Sequence, residues 1–148
     1  MGSLDDVMRT VIDAVDGALA GAVIDVETGA LLGAAHEVPY FTQDYLDAVA
    51  AAAIETFRGA SVTRVEELIA QHRGVPPEHL VEEVQVTTRG TLHFLTTVPE
   101  RPDVAIVLVI DRRSSTGMGW AATRRAAAEV SPLLDAPDAA APGSGGAG

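Results

Sequence analysis

Apolar residues recur at helical spacing near the start of the chain. Through residues 4–15 they stand three or four positions apart, which is typical of an amphipathic helix with one buried face. Ser3 directly precedes this pattern, and its hydroxyl is suited to capping the first backbone N–H groups. We expect Gly17 and Gly21 to end this helix and to lead into the strand that begins at residue 22.

Two short apolar runs follow the first predicted helix. Residues 22–26 and 30–34 are separated by a polar stretch that contains Gly29, and glycine readily adopts the positive φ of a tight turn. Short runs bounded by turn residues predict two antiparallel strands that are joined as a hairpin.

A broader apolar surface marks the next segment. Residues 43–58 repeat apolar side chains on a wide face behind Thr42, which predicts a second helix. Gly59 interrupts the pattern, and Thr63 and Glu66 have the spacing of a capping box, which predicts a new helix start. Since one glycine weakens a helix by only about 1 kcal/mol, the sequence leaves open whether the two pieces form one kinked helix or two helices.

Three strand-like segments follow in the second half of the chain. Residues 81–87, 91–98 and 104–110 are separated by turn residues, and the connections are too short for helical crossovers. This spacing predicts an antiparallel meander. The third segment is apolar at every position, so we expect it at the centre of the sheet, with helices covering both of its faces.

The chain is predicted to close with a helix over residues 117–133, capped by the hydroxyl side chains of residues 114–116. Residues 135–148 are rich in Ala, Pro and Gly and are expected to form a disordered tail. Residues 1–134 would then form a single domain. The order of elements predicts an α+β fold in which a five-stranded antiparallel sheet is sandwiched between helices, in α/β/α layers.

Composition narrows the range of partners. The chain has 148 residues, of which 47% are hydrophobic, so it can build one core. A net charge of -11 argues against nucleic acid and anionic lipid as partners, since both attract positive charge. The absence of cysteine excludes disulfides and a cysteine nucleophile. With an acidic N-terminus and no spanning apolar stretch, we expect a cytoplasmic protein without membrane insertion.

Few side chains suggest catalytic or metal chemistry. None of the four histidines has the i, i+4 helical spacing of a zinc hydrolase, so we predict neither a metal nor a cofactor. Glu66 and Glu67 are neighbours whose side chains diverge on a helix, and we interpret them as solvent-facing. No catalytic constellation is present, which predicts that the chain is not an enzyme.

One loop has the composition of an anion site. Residues 111–119 join an apolar strand to a helix, and backbone N–H groups at a helix start can bind an anion beside arginine. The candidate residues are Arg112, Arg113, Ser115 and Gly117. The alternative, which the short signal favours, is that they form only a loop and a helix cap, because no Walker lysine is present.

The order of elements, together with GAVIDVETG at residues 21–29 and GMGWAATRRA at residues 117–126, resembles the roadblock/dynein light chain family. The likeness covers residues 5–130 and suggests a bacterial roadblock-domain protein. It implies a five-stranded antiparallel sheet between helices, no catalytic residues, and dimers that regulate or scaffold small Ras-like GTPases or motor complexes. The chain departs from the family between Phe57 and Val81, where it has more residues than the usual link.

The resemblance also implies a homodimer formed through the second helix and the third strand, whose exposed edge favours pairing with a copy of itself. For each candidate side chain, the alternative is a place in the chain's own core. The candidates are Tyr45, Leu46, Val49, Ala53 and Phe57 on the helix, and Val84 and Val86 on the strand.

We therefore predict a non-enzymatic, homodimeric regulatory or scaffold protein that binds a small Ras-like GTPase or a related signalling protein. The alternative is a small-ligand sensor of profilin-like or PAS-like shape, which an aromatic content of only 4% disfavours. A third hypothesis, an anion-binding or nucleotide-acting enzyme centred on residues 112–119, lacks a recognised phosphate-binding motif.

Overall fold

The computed structural model describes residues 3–39 and 41–134, so the predicted tail at residues 135–148 lies outside the described part of the chain. The elements, in chain order, are α1 (Leu4–Ala14), β1 (Ala18–Asp25), β2 (Leu31–His36), α2 (Gln43–Arg58), α3 (Ala60–Arg73), β3 (Glu83–Thr87), β4 (Thr91–Val98), β5 (Arg101–Asp111) and α4 (Thr116–Val130). A single 3₁₀ turn, Ser131–Leu133, follows α4.

The five strands form one antiparallel sheet in the order β2-β1-β5-β4-β3. β5 lies at the centre, where Leu108 is opposite Gly21 of β1 and Phe94 of β4. All β5 side chains from Val104 to Ile110 are buried. The prediction of an apolar central strand is confirmed, because a strand that is covered on both faces needs apolar side chains on both.

Helices cover both faces of the sheet, which confirms the predicted α+β fold. On one face, α1 packs on β1 and β2 while α4 packs on β4 and β5, and we call this side the α1–α4 core. On the other face, α2 packs on the sheet, and we call the buried side chains on this side the α2 core. The largest buried side chains of the α1–α4 core are Met8, Phe94, Ile106, Leu108 and Ile110, and those of the α2 core include Ile24, Val26 and Phe57.

The start of α1 is as predicted, but its end is not. Ser3 Oγ accepts a hydrogen bond from the Asp6 N–H, and the Asp6 carboxylate accepts one from the Ser3 N–H, each at 3.1 Å. Gly17 follows the helix with a φ of 83°. The prediction for Gly21 is wrong, because this residue lies inside β1, where a Cβ would come within 3.2 Å of the Met8 sulfur. Its role is the close packing of α1 on the sheet.

α2 and α3 are separate helices that share Gly59 as a boundary. Gly59 is extended, and a Cβ there would collide with the carbonyl oxygen of Glu55. The capping box predicted at Thr63 is wrong, because α3 begins earlier and the Thr63 N–H donates to the Gly59 carbonyl at 2.9 Å within the helix. Glu66 is buried, so its predicted exposure is also wrong.

Four of the five strands differ from their predicted bounds. β2 runs to His36 and not to residue 34, and β5 begins at Arg101, within the segment predicted as a turn, and not at residue 104. β1 begins at Ala18 and not at residue 22, because it pairs along almost the whole of β5. β3 is shorter than the predicted segment 81–87, and Val81 instead packs against the α2 core before the strand begins. Each difference reflects pairing or packing with another strand or helix, which local periodicity does not encode.

Candidate functional site

The five candidate interface residues on α2 differ in their exposure to solvent: two are buried and three are half-buried. Thr42 caps the helix, and its Oγ1 accepts a hydrogen bond from the Tyr45 N–H at 3.3 Å. Ala53 and Phe57 are completely covered within the α2 core, so they support the surface from beneath. The other three candidates on this helix are half-buried: Tyr45, Leu46 and Val49.

The half-buried residues of α2 border a shallow cleft between the helix and the sheet. Leu46 and Val49 line it together with Val107 and Val109 of β5. The Tyr45 ring stacks on Phe41 with 4.2 Å between ring centroids. The half-buried Tyr45 ring is thus packed on a buried aromatic side chain of the core.

β3 lies at one edge of the sheet and pairs with β4 alone among the described strands. Val84 packs against the α2 core, and Val86, on the same side of the strand, is 43% exposed. An edge strand with an exposed apolar side chain and an unpaired outer backbone is a template for pairing with another chain. We call the exposed parts of α2 and β3 together the α2–β3 face.

The opposite side of β3 is held by α4. Arg124 donates two hydrogen bonds to the Glu83 carboxylate, each at 2.7 Å, and its guanidinium lies 4.9 Å from the centroid of the Trp120 ring. Trp120 Nε1 in turn donates to Gln85 Oε1 at 3.0 Å. The Arg124 hydrogen bonds hold the pKa of Glu83 below its ordinary value. These contacts fix the orientation of the edge strand.

Glu66 of α3 is a residue whose role the sequence did not reveal. Its side chain is only 4% exposed, and its carboxylate accepts hydrogen bonds from the Leu80 N–H at 2.7 Å and from His79 Nδ1 at 3.1 Å. Burial raises the pKa of Glu66, but the hydrogen bonds from Leu80 and His79 outweigh burial and leave it below its ordinary value. The sole local signal, the spacing from Thr63, pointed to a helix cap instead.

Three of the four residues of the anion candidate serve the loop and the start of α4. Ser115 is the N-cap, and its Oγ accepts a hydrogen bond from the Met118 N–H at 3.2 Å. Gly117 lies in the first turn of the helix, and Arg112 Nη1 lies 3.5 Å from the carbonyl oxygen of Thr88. The capping alternative from the sequence is confirmed for Ser115.

The fourth candidate, Arg113, is paired with a carboxylate. Its guanidinium donates to both oxygens of Asp111 at 3.0 and 3.2 Å, which lowers the pKa of that carboxyl. The wide-open cavity beside it, of about 530 Å³, is also lined by Asp16. An anion in this cavity would meet two carboxylates and an arginine whose charge is already compensated, so the local electrostatics disfavour anion binding.

An apolar groove of about 210 Å³ runs between α1 and α4, with Arg125 and Glu129 at its sides. Sites for small ligands usually enclose about 300–1,000 Å³ and bring several polar groups together. The groove is smaller than this range, and the cavity of about 530 Å³ beside Arg113 has a suitable volume but is wide open to solvent, so neither gives the alternative of a small-ligand sensor much support. The groove lies on the face of the sheet that is opposite to α2.

Neither a metal cluster nor a membrane-spanning helix is found within residues 3–39 and 41–134. No three His, Asp or Glu side chains of this part of the chain converge on a position that could hold a metal ion. None of its helices combines the length and the apolar character needed to cross a membrane.

Known structures resemble this fold over most of its length. The Roadblock/LC7 domain from Streptomyces avermitilis has a TM-score of 0.66 and 19% identity, over 90% of this chain and 98% of that one. MglB from Myxococcus xanthus has a TM-score of 0.66 and 17% identity, over 88% and 93% of the two chains. An MglB structure with a tetrameric arrangement has a TM-score of 0.68 and 18% identity, over 90% and 91%.

No family model matches the sequence, and no curated protein matches it significantly. At 17–19% identity, the likeness to the three structures establishes the fold and nothing finer. It agrees with the five-stranded antiparallel sheet between helices that the sequence resemblance implied. The chain therefore has the Roadblock/LC7 fold.

Proposed function

We propose that two copies of this chain associate through the α2–β3 face and that the dimer regulates a small Ras-like GTPase or a related signalling protein. The observation that carries the proposal is the edge strand β3, which exposes Val86 and pairs with β4 alone among the described strands. In a two-fold dimer, the same patch of each copy meets itself, and two antiparallel edge strands satisfy each other's backbone groups.

Side chains of the α2–β3 face suit this role. Val84 and Val86 would meet the partner across the strands, while Tyr45, Leu46 and Val49 would cover the junction from α2. Ala53 and Phe57, which are buried by their own chain, keep α2 seated on the sheet. The tetrameric arrangement named for MglB supports self-association as a property that this fold can carry.

The kind of partner follows from the resemblance to roadblock proteins, which regulate or scaffold Ras-like GTPases. In this proposal the chain is a non-enzymatic regulator in which residues 1–134 form the functional domain, and it acts in the cytoplasm. The Arg113–Asp111 ion pair argues against a second function as an anion or nucleotide site.

Light scattering and sedimentation of the purified chain test the dimer. We expect a dimer at micromolar concentration, and we expect Val86→Lys to weaken it by roughly tenfold or more, because a charge would then be buried at its centre. The matched control is Leu32→Lys on β2, the other edge strand, where Leu32 is 39% exposed. A monomeric wild-type chain, or equal weakening by both variants, would contradict the proposed interface.

The GTPase partnership needs a separate test. The probe is a Ras-like GTPase encoded near this chain in the same genome, loaded with either GDP or a non-hydrolysable GTP analogue and titrated by calorimetry. We expect binding that depends on the nucleotide state, since a regulator must have different affinities for the two conformations. Equal affinity in both states, or no binding at high micromolar concentration, would rule out this partner.

A further inference from the structure

The two edges of the sheet differ in what lies beside their backbones. β2 and β3 are the outer strands, and each pairs with one neighbour among the described strands. In an antiparallel strand, residues alternate between those whose N–H and C=O groups bond to the neighbouring strand and those whose groups point outward. An outer strand with unbonded outward groups is a template for a strand from another chain. What these groups bind therefore decides where the sheet can be extended.

The pairing of β2 with β1 identifies the outward positions of β2. The Glu37 N–H, directly after the strand, donates to the Leu19 carbonyl at 2.9 Å, so residue 37 bonds to β1. The ladder keeps one register from Gly33 to His36. By alternation, Ala34 and His36 then point their backbone groups outward. These two residues hold the groups that an added strand would need.

Side chains of α1 occupy both outward positions. Asp5 Oδ1 accepts a hydrogen bond from the Ala34 N–H at 2.8 Å. Arg9 Nη2 donates a hydrogen bond to the His36 carbonyl oxygen at 2.9 Å. Asp5 and Arg9 are four residues apart, so the same face of α1 presents both to β2. We call these two side chains the α1 clasp, which supplies one acceptor and one donor, as the backbone of an added strand would.

Further contacts keep the clasp beside the edge of β2. Arg9 also forms ion pairs with Glu37 and with Asp13, which lies one turn further along α1. At Gly33 the strand admits the start of the helix, because a Cβ there would come within 2.6 Å of the Leu4 Cβ. The clasp is therefore part of the close packing of α1 on β2.

β2 carries little protection of its own. Edge strands are commonly protected by charged side chains or by proline. The strand Leu31–His36 contains neither proline nor an acidic or arginine residue, and Leu32 is 39% exposed. An apolar edge of this kind is prone to pair with other chains. The protection of this edge therefore comes from the α1 clasp.

The edge at β3 is held in a different way. The Glu82 carbonyl accepts a hydrogen bond from the Thr97 N–H of β4 at 3.0 Å, so residue 82 bonds to β4. By alternation, Glu83 and Gln85 point their backbone groups outward. The two side chains of α4 that reach this strand donate to the side chains of Glu83 and Gln85. Neither contact uses the outward backbone groups, so α4 orients β3 without closing its edge.

We propose that the α1 clasp closes the edge of β2 to strand addition by another copy of the chain and leaves β3 as the edge at which the sheet can be extended. The consequence is a limit on assembly. Where two unlike edges are open, copies can pair head to tail without end, whereas pairing of one edge with itself closes after two copies. The clasp acts within the single chain, so it does not depend on the proposed homodimer.

Removal of the clasp tests this assignment. Asp5→Ala/Arg9→Ala keeps the net charge at -11, since it removes one charge of each sign. The matched control is Asp16→Ala/Arg125→Ala, which replaces the same two residue types at exposed positions after α1 and on α4. Deuterium exchange at low chain concentration, resolved by residue with NMR, should be faster by about tenfold at the Ala34 N–H in the clasp variant and unchanged in the control.

Sedimentation at increasing chain concentration gives the second readout. We expect the clasp variant to form species larger than those of the wild-type chain, whereas the control keeps the wild-type distribution. Adding Leu32→Lys to the clasp variant should remove the larger species, since a lysine on an edge strand opposes strand pairing. Aggregation of an unfolded chain would not be reversed by this substitution.

Each readout can overturn the proposal. Unchanged exchange at Ala34 would mean that the clasp does not protect the edge. Faster exchange without larger species would mean that the open edge accepts no strand, and larger species that persist with Leu32→Lys would assemble through another surface. If circular dichroism shows a loss of helix in the alanine pair, Asp5→Asn/Arg9→Gln replaces it. That pair removes both charges but keeps polar side chains, and the same two results are expected.

Discussion

The carboxylate of Glu66 accepts a hydrogen bond from the backbone N–H of Leu80 at 2.7 Å, across 14 positions of sequence. This contact ties the middle of α3 to the segment that enters β3. Among the described residues, Glu66 is the one acidic or basic residue that is buried. A buried carboxylate is tolerated only where hydrogen bonds replace the lost water, so the contact fixes the local fold.

The first prediction concerns the stability that Glu66 provides. Glu66→Gln should lower the free energy of unfolding by about 1 kcal/mol, because a neutral amide is a weaker acceptor for the Leu80 N–H than a carboxylate. The control, Glu67→Gln, changes an exposed side chain of the same helix and should stay within about 0.5 kcal/mol of wild type. Urea unfolding at one fixed chain concentration measures both, and equal values would contradict the anchoring role.

The second prediction is a pH dependence. The pKa of Glu66 in the folded chain lies below its ordinary value, so the unfolded chain binds this proton more tightly than the folded chain does. The stabilisation is therefore complete above the unfolded pKa of about 4.3 and is lost as the pH falls through the folded pKa.

The difference in the free energy of unfolding between wild type and Glu66→Gln should consequently shrink when the pH is lowered from 6 to 3. Asp103 and Asp111, whose pKa values are also lowered by their arginine partners, titrate alike in both proteins and cancel. Urea unfolding at the two pH values measures the difference. If the difference in the free energy of unfolding stays constant with pH, Glu66 does not titrate as its contacts require.

Local chemistry predicted much of this fold. The Ser3 cap, the Thr42 cap and the apolar run of β5 each depend on neighbouring residues alone, and each is found where it was expected. Gly21 and Glu66 were misinterpreted because their roles depend on distant residues. The packing of α1 requires the glycine, and the segment that returns from α3 buries the carboxylate.

The candidate surface was harder to predict than the fold. Phe57 and Val86 are both apolar residues on predicted amphipathic elements, yet Phe57 is fully buried and Val86 is exposed. Periodicity identifies which side of an element is apolar, but the sheet order decides whether that side meets the chain's own core or solvent. The position of β3 at the edge is a property of the whole sheet.

The third prediction tests how closely α4 approaches the sheet. A Cβ at Gly119 would overlap the ring of Phe94, whereas a Cβ at Gly117 would meet one side-chain atom at the ordinary distance of 3.8 Å. Gly119→Ala should therefore destabilise the chain by about 1–3 kcal/mol through overpacking. Gly117→Ala, in the same helix, should be within about 0.5 kcal/mol of wild type. Thermal or urea unfolding compares them, and similar stabilities would exclude a close contact between α4 and Phe94.

The fourth prediction concerns the edge strand. Arg124 connects α4 to β3 through its two hydrogen bonds to Glu83, and the neighbouring Trp120 adds a hydrogen bond to Gln85. Arg124→Gln removes the ion pair and its contact with the indole ring, so β3 should open more often. The backbone N–H groups of β3 should then exchange with deuterium faster by a factor of about two to five.

The matched control for the edge strand is Arg125→Gln, since Arg125 also lies on α4 but lines the groove toward α1. Exchange in β3 should be unchanged in that variant, and exchange in the central strand β5 should be unchanged in both, because β5 is paired on each side. Deuterium exchange followed by mass spectrometry measures the strands separately. If both arginine variants accelerate exchange in β3 equally, general loosening of α4 would explain the effect, and the Arg124–Glu83 pair would have no specific role in holding the edge.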